Sequence, residues 1–242
     1  MRVAVITPYC REPLEVVRAA HDSVLAQTHP CTHVLVGDGF PYPEIDDWGG
    51  LHLKLPEPHG DYGNTPRSLG AICALNQGFE AFAFLDADNL FEPDHVQSLV
   101  EVCTTTRAKV AFSERKVVLA GGAVWEPPIR RPPLSDIDTN CFFITDRAAF
   151  LLAAWAMIDR SIASVGDRFL HHLVWSRDLK RAYTRRRTVI YHSNLWDHYR
   201  SAGIQPPADA QRIDWAGVRE AYSQDRQTRR LGYPPPPTKW GR

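Results

Sequence analysis

The chain has 242 residues, with 28 basic and 28 acidic side chains, and 44% of its residues are hydrophobic. This length suits one large α/β domain with a sizeable core, and the composition is that of an ordinary globular protein. A formal net charge of zero argues against a polyanion-binding surface over the whole protein, so we expect no nucleic-acid partner. Residues 1–120 hold 9 basic and 16 acidic side chains, whereas residues 121–242 hold 19 and 12. An acidic half that could hold a metal ion thus accompanies a basic half that could hold phosphate.

The cysteines predict a reducing compartment. There are five, and no two have the short spacing of a zinc site, which favours the cytoplasm. The apolar run after Met1 and Arg2 is too short for a signal peptide. The longest apolar run, residues 148–158, is far shorter than the ~20 residues that cross a bilayer. We therefore expect a cytoplasmic protein with no transmembrane segment.

The first residues predict a β-α-β unit. Residues 3–6 indicate a buried strand, apolar residues recur at helical spacing over 12–28, and residues 33–36 indicate a second strand. The turn-forming cluster Gly37-Asp38-Gly39 ends this second strand. The polar side chains expected at the carboxyl ends of the two strands are Thr7, Tyr9 and Asp38.

Residues 81–85 form the most informative strand signal, because they are apolar enough to be buried on both faces of a parallel sheet. The strand ends in Asp86-Ala87-Asp88. Residues i and i+2 of an extended segment point the same way, so both carboxylates can face one ligand. Open α/β sheets bind ligands at this edge, and hard oxygen ligands suit a divalent cation.

Simpler explanations of these polar residues remain open. Asp88-Asn89 could be turn formers, Thr7-Pro8 could merely end a strand, and Asp38 could make an Asx-turn.

The remaining segments give a coarser pattern. Residues 51–55 predict a weak strand, and the polar loop 60–67 leads into a helix with Asn64 as its N-cap. The later elements are a helix after Asp94, a strand at 108–112, a ribbon at 115–133 turning at Gly121-Gly122, a strand at 138–145, a helix at 147–158, a helix after Gly166-Asp167, a strand at 185–191, a helix near 214–222 and an extended proline run at 234–237.

Four segments in order resemble motifs of the family-2 glycosyltransferases, which transfer sugars from nucleotide diphosphates. They are residues 5–9 with Arg11 close behind, 23–28, 36–39 and 84–88. Val36-Gly37-Asp38-Gly39 is similar to the family's Asp-Asp-Gly-Ser, and the segment ending in Asp88 is similar to its Asp-x-Asp. An Asp-x-Asp alone is a weak signal, whereas four motifs in order and in strand context are strong. The resemblance covers residues 1–100 well and 138–200 loosely.

The resemblance implies an α/β fold of the GT-A (Rossmann-like) type, a doubly wound, mainly parallel sheet with a small antiparallel ribbon. It implies a GT-A domain over 1–200, with a nucleotide-sugar half at 1–100 and an acceptor half at 101–200. Residues 201–242 would form a helical and Pro-rich tail. The implied activity is metal-dependent, inverting transfer from a UDP-sugar, or another nucleotide sugar, to a hydroxyl acceptor.

The resemblance also implies site residues. Those expected to bind the nucleotide sugar are Thr7, Pro8, Tyr9, Arg11, Asp38, Arg67, Asp86, Ala87 and Asp88. A carboxylate can pair with uracil and Tyr9 can stack on it. Asp86 and Asp88 would hold the ribose and a Mn²⁺ or Mg²⁺ ion. His192 is the predicted third metal ligand, with His198 as its competitor.

Asp167 is the predicted general base, which takes the proton of the acceptor hydroxyl. An Asp before a helix is also a common N-cap, so both roles stay open here. Three residues depart from the family pattern: Gly37 and Gly166 stand where an acid is usual, and Leu75 stands where Arg is frequent. Arg67 is the predicted substitute for that missing cation.

Two other functions compete with glycosyl transfer. A haloacid-dehalogenase-like phosphatase also uses Asp-x-Asp, but there the motif normally ends the first strand and is followed by Thr or Val. In this chain the motif comes after two earlier β-α units, and Leu90 stands two positions beyond Asp88. The other is a sugar-nucleotide-binding protein that has lost turnover, which the departures at Gly37, Leu75 and Gly166 would fit.

Overall fold

The sheet is built from strands whose residues are largely apolar and buried. The structure, a computed structural model, describes residues 1–129 and 137–224. Its strands are β1 (Val3–Tyr9), β2 (Cys31–Asp38), β3 (Leu51–Leu55), β4 (Ala81–Phe84), β5 (Leu90–Phe91), β6 (Val110–Val118), β7 (Val124–Trp125), β8 (Phe142–Thr145) and β9 (Arg181–His192). Its α-helices are α1 (Leu14–Leu25), α2 (Asn64–Asn76), α3 (His95–Thr106), α4 (Phe150–Ala154), α5 (Gly166–Ser176), α6 (Trp196–Ser201) and α7 (Trp215–Gln224).

The described strands form one sheet in the order β3-β2-β1-β4-β8-β6-β9-β5, with β7 paired to β6. The pairs among β1 to β4 are parallel, and so is the long β6–β9 pair. β8 runs antiparallel between β4 and β6, and β6–β7 is the small antiparallel ribbon. The predicted fold class, a mainly parallel α/β sheet with an antiparallel ribbon, is confirmed. The predicted neighbours β2, β1 and β4 are adjacent, so their carboxyl ends share one edge.

Helix α2 presents small residues to the parallel strands. Gly70, Ala71 and Ala74 are buried on its inner face. A Cβ added at Gly70 would lie 2.8 Å from Ile6 Cγ2 and 2.8 Å from Val36 Cγ2. This close approach brings the first turn of α2 over the carboxyl ends of β1 and β4.

Three local predictions need correction. Asn64 does not cap α2; Gly63 occupies the N-cap position with a positive φ of 76°, and Asp61 accepts a hydrogen bond from the Thr65 N–H. The predicted strand 138–145 is shorter, because residues 139–141 form a 3₁₀ turn before β8. The predicted helix 147–158 is likewise a short α-helix between 3₁₀ turns. The proline run 234–237 lies outside the described residues.

In the part of the chain that the structure describes, no helix combines the length and apolar character needed to cross a membrane. The five cysteines are free. The cytoplasmic location stays a prediction.

A buried pair of histidines joins β1, β2 and α1. His21 Nδ1 lies 2.9 Å from His33 Nδ1, and His33 Nε2 lies 2.8 Å from the Thr7 hydroxyl. His21 Nε2 donates to the carbonyl of Trp48 at 3.2 Å. The contact between the two Nδ1 atoms holds one hydrogen, so at least one ring is neutral. With both rings neutral, His33 Nδ1 donates to His21 Nδ1 and His33 Nε2 accepts from the Thr7 hydroxyl, so every ring nitrogen is paired. Burial lowers the pKa of His21 and holds the pKa of His33 well below its usual value.

We predict that this pair makes folding stability fall in acid. Both folded pKa values are depressed, so the stabilisation is complete above the unfolded value of about 6.5 and is lost as the pH falls below it. Each histidine can contribute a slope of up to about 1.4 kcal/mol per pH unit. The His21→Gln/His33→Gln double variant should show a shallower loss in urea unfolding between pH 8 and pH 5. His29→Gln, outside the pair, is the control; a double variant as acid-sensitive as the parent would contradict this account.

Candidate active site

A cleft of about 1320 Å³ lies at the carboxyl ends of β1, β2 and β4, the edge where open α/β sheets bind ligands. The predicted residues that line it are Pro8, Tyr9, Asp38, Arg67, Asp86, Ala87, Asp88 and Asp167. The fold therefore brings the predicted base from the second half of the chain into the same cavity as the Asp-x-Asp segment.

Both carboxylate oxygens of Asp86 are engaged by the protein. Oδ1 accepts a hydrogen bond from Arg67 Nη2 at 2.6 Å, and Oδ2 accepts one from Asn140 Nδ2 at 2.9 Å. Asn140 Oδ1 also accepts from the backbone N–H of Asp86 at 2.6 Å. Arg67 is only 3% exposed, so this is a charge-assisted contact in a largely desolvated place. Its contact with a nucleotide stays a prediction.

Asp88 is the carboxylate that opens into the cleft. Desolvation by the cleft walls and, second, the negative charge of Asp86 raise the pKa of Asp88 to about 7. Ionisation of Asp88 beside Asp86 is therefore unfavourable. A cation placed there would relieve this repulsion.

The oxygen donors of Asp86 and Asp88 fit a hard divalent cation, but the predicted third ligand is not assembled with them. His192 Nδ1 lies 2.8 Å from the backbone carbonyl of Asp88, so only its Nε2 remains for a cation. The competitor His198 lines the cleft, with its Nδ1 2.7 Å from the Ser193 hydroxyl. Among the described residues, no group of three His, Cys, Asp or Glu side chains is arranged to hold a metal ion.

At the end of β2, Asp38 is held by a histidine that sequence reasoning missed. Its Oδ1 lies 2.6 Å from His59 Nδ1, and its carboxylate also accepts from the His59 backbone N–H. Asp38 is 4% exposed although it lines the cleft. Any contact with a nucleobase is therefore made by an Asp–His pair rather than by a free carboxylate.

Tyr9 is also held in place by its neighbours. Its ring stacks on Tyr42 and His52, and its hydroxyl lies 2.6 Å from His52 Nε2 and accepts from the Tyr42 N–H at 3.1 Å. Burial raises the pKa of Tyr9 to about 12. Two other predicted residues point elsewhere: the Thr7 hydroxyl belongs to the buried histidine pair, and the Arg11 guanidinium lies over the Phe40 ring at 4.3 Å.

Asp167 lies in the first turn of α5 and faces the cleft. The N-cap position is occupied by Val165, and no side chain caps the helix there, so the N-cap explanation of Asp167 is wrong. The Asp167 carboxylate accepts from the Arg168 N–H at 2.6 Å. Desolvation and, second, the charge of Asp138 raise the pKa of Asp167 to about 6.

Sequence reasoning missed Asp138, which shares the Asn140 amide with Asp86 and raises the pKa of Asp167. Asp138 Oδ2 pairs with Arg115 Nη1 at 2.8 Å, and its Oδ1 accepts from Asn140 Nδ2 at 2.5 Å. The available signal was Asp138-x-Asn140 directly before an apolar strand, which places polar side chains at a strand end. Sequence reasoning also gave the tail no part in the site, yet Trp215 and Arg219 line a wall of the cleft.

The sequence profile described as "Glycosyl transferase family 2" matches residues 4–166. The chain belongs to this family. The match includes Asp38, Asp86 and Asp88 and ends one residue before Asp167. Membership in this family removes the basis for the haloacid-dehalogenase-like alternative.

The relatives agree with the family. Succinoglycan biosynthesis protein ExoW of Rhizobium meliloti (strain 1021) is 32% identical over 111 residues, which are 43% of this chain and 34% of that protein. A structure of S. aureus TarS residues 1–349 with UDP superposes with a TM-score of 0.62 at 14% identity, covering 83% of this chain and 63% of that one. The corresponding structure with UDP-GlcNAc gives 0.61 at 15%, covering 84% and 61%. The TarS likeness shows the shared fold. The chain spans about a third of ExoW and less than two thirds of these TarS chains.

The two glycine departures from the family-2 pattern have a steric explanation. A Cβ at Gly37 would lie 2.8 Å from the Tyr9 hydroxyl and 3.0 Å from Pro41 Cα. A Cβ at Gly166 would lie 2.8 Å from Asn64 Oδ1 and 3.1 Å from its Nδ2. In both places a neighbouring polar side chain occupies the space that an acid would need.

We predict that Gly37→Ala lowers the free energy of unfolding by about 1–3 kcal/mol, the usual range for overpacking. The added methyl would push the Tyr9 hydroxyl away from His52 and from the Tyr42 N–H. Tyr9→Phe removes that hydroxyl, so Gly37→Ala should be less destabilising in the Tyr9→Phe background. A double-mutant cycle from urea unfolding measures the difference, and strict additivity would show that the hydroxyl is not the obstacle.

Proposed function

We propose that this protein transfers a glycosyl group from a nucleotide sugar, with a UDP-sugar favoured, to a hydroxyl acceptor. The observation that carries this proposal is the gathering of Asp86, Asp88 and Asp167 in one cleft at the strand ends of a family-2 chain. The binding of UDP and UDP-GlcNAc by TarS, a protein of the same fold, supports the choice of donor.

The donor's diphosphate would lie beside the Asp-x-Asp segment. Asp88, with Asp86 beside it, would hold a Mn²⁺ or Mg²⁺ ion, which when bound supplies charge neutralisation for the departing nucleoside diphosphate. Asp86, oriented by Arg67 and Asn140, would accept a hydrogen bond from a ribose hydroxyl. The Asp38–His59 pair and Tyr9 would form the pocket for the base.

Asp167 would act on the acceptor. An attacking hydroxyl must lose its proton as it bonds to the anomeric carbon, and a carboxylate with a pKa of about 6 is mostly ionised at neutral pH yet more basic than an exposed aspartate. Attack from the side opposite the leaving nucleotide inverts the anomeric centre, as the family resemblance implies. The Asp167 proton is then released to solvent after the product leaves.

The first test concerns the cation. UDP should bind more tightly with Mn²⁺ than with EDTA in titration calorimetry, and Asp88→Asn should remove most of that difference because it removes the charge that opens into the cleft. Asp22→Asn, an exposed carboxylate of α1, is the matched control. Equal UDP affinity of the parent with Mn²⁺ and with EDTA would contradict the metal-dependent part of the proposal.

The second test concerns the base. Asp167→Asn should lower kcat by roughly 10²–10⁴-fold, the usual effect of losing a general base, with little change in UDP affinity. The control is Asp159→Asn, in which Asn keeps the cap that Asp159 provides to the Ser161 N–H. Turnover by Asp167→Asn close to that of the parent would contradict the assignment. UDP binding without any turnover by the parent would favour the sugar-nucleotide-binding protein instead.

The pH dependence adds an independent check. A base works in its ionised form, and the folded pKa of Asp167 is raised to about 6, so kcat should be level above that value and fall as the pH drops through it. The residual activity of Asp167→Asn should lack this acid limb. A profile with no limb near pH 6 in the parent would contradict the role.

A further inference from the structure

The Arg67–Asp86 ion pair is held from both sides by a buried asparagine. Asn64 stands on the Arg67 side and Asn140 on the Asp86 side, and both are at most 3% exposed. We call these four residues the clamp. Family membership and the sequence motifs give no role to either asparagine.

Asn140 uses its whole amide on the aspartates. Its two N–H groups point to Asp86 Oδ2 at 2.9 Å and Asp138 Oδ1 at 2.5 Å, and its oxygen accepts from the Asp86 N–H at 2.6 Å. Asp138, itself paired with Arg115, fixes which way the amide faces. The Asp86 carboxylate therefore has one donor on each oxygen, which fixes the plane of the group.

Asn64 connects the other end of the clamp to the segment that carries Asp167. Its Oδ1 accepts from Arg67 Nη1 at 3.2 Å, and its Nδ2 donates to the carbonyl of Ala163 at 3.1 Å. Its amide also fills the space beside Gly166 where a Cβ would lie. Asn64 thus touches the backbone directly before Asp167.

We propose that Asn64 and Asn140 are positioning residues for the reaction. Asn140 keeps the Asp86 carboxylate in the orientation that receives the nucleotide, and Asn64 ties the same ion pair to the start of α5. The assignment rests on the proposed function, since the donor and acceptor roles of Asp86 and Asp167 are defined by it. A carboxylate held by Arg67 alone would be free to rotate, and ordering it would then reduce the affinity for the donor.

The competing explanation is that the asparagines only stabilise the fold. Thr145→Val is the matched control for Asn140→Ala. Thr145 is buried in β8, the strand that follows Asn140, and its hydroxyl donates to the carbonyl of Lys109 at 2.9 Å. Its loss removes a buried hydrogen bond from the same segment without touching Asp86.

The experiment compares the parent, Asn140→Ala, Asn64→Ala and Thr145→Val by thermal unfolding, UDP calorimetry and turnover. Asn140→Ala should weaken UDP binding by roughly 10- to 100-fold, the range expected for a hydrogen bond to a charged group. Thr145→Val should lower the Tm without this loss. Asn64→Ala should lower kcat as well as UDP affinity, because it also releases the segment before Asp167.

Crystal structures of the nucleotide-free proteins give a readout that does not depend on the proposed function. The Asp86 carboxylate should rotate in Asn140→Ala and keep its orientation in Thr145→Val. An unchanged Asp86, parental UDP affinity in Asn140→Ala, or an equal loss in Thr145→Val would each overturn the inference. If Asn140→Ala does not fold, Asn140→Ser carries the same test, because its hydroxyl is too short to reach both aspartates. A parent that binds no UDP refutes the proposed donor, and the orientation of Asp86 still decides the positioning role.

Discussion

The chemistry available in the cleft depends on how negative charge is distributed among the aspartates that line it. Asp86, Asp88, Asp138 and Asp167 line one cavity, where partial removal from water strengthens their mutual repulsion. The fold neutralises two of them, Asp86 with Arg67 and Asp138 with Arg115. The other two keep raised pKa values, and these are the carboxylates assigned to the incoming cation and to the acceptor proton. The four side chains thus divide into two that form ion pairs, Asp86 and Asp138, and two with raised pKa values, Asp88 and Asp167, for which we propose the cation and acceptor roles.

Much of the parallel part of the fold could be predicted from the sequence. Strands β1, β2 and β4 are short apolar runs that end in polar residues, and their order in the sheet follows from the usual placement of β-α units. The antiparallel insertion of β8 between β4 and β6 could not be predicted, because it depends on a pairing between residues such as Ala83 and Phe143 that are 60 positions apart. Local patterns carry no information about such a pairing.

Only some of the residues that form the candidate site could be predicted from the sequence. Asp86, Asp88 and Asp167 are visible as acids at the ends or starts of elements, whereas the groups that orient them come from distant segments. Asn140 is 54 positions from Asp86 and shows only a weak local signal. Tyr9 and Asp38 were correctly placed at the cleft, but their partners His52 and His59 lie in a Pro- and Gly-rich stretch with little periodicity. Alternation along β1 does not reveal that the Thr7 hydroxyl meets a buried histidine, and a contact of Thr7 with the nucleotide stays a prediction.

The departures from the family pattern become intelligible only when the neighbours in space are considered. Gly37 and Gly166 lack a carboxylate, yet neither leaves a gap, because Tyr9 fills the first space and Asn64 fills the second. Neither glycine adds a charge near the aspartates of the cleft, and the side chain that fills each space is neutral and hydrogen-bonded. Leu75 stands where Arg is frequent, and Arg67, two turns earlier on the same helix, is the cation that we propose in its place. At both glycines, the space left open along the chain is filled by a polar side chain from another segment.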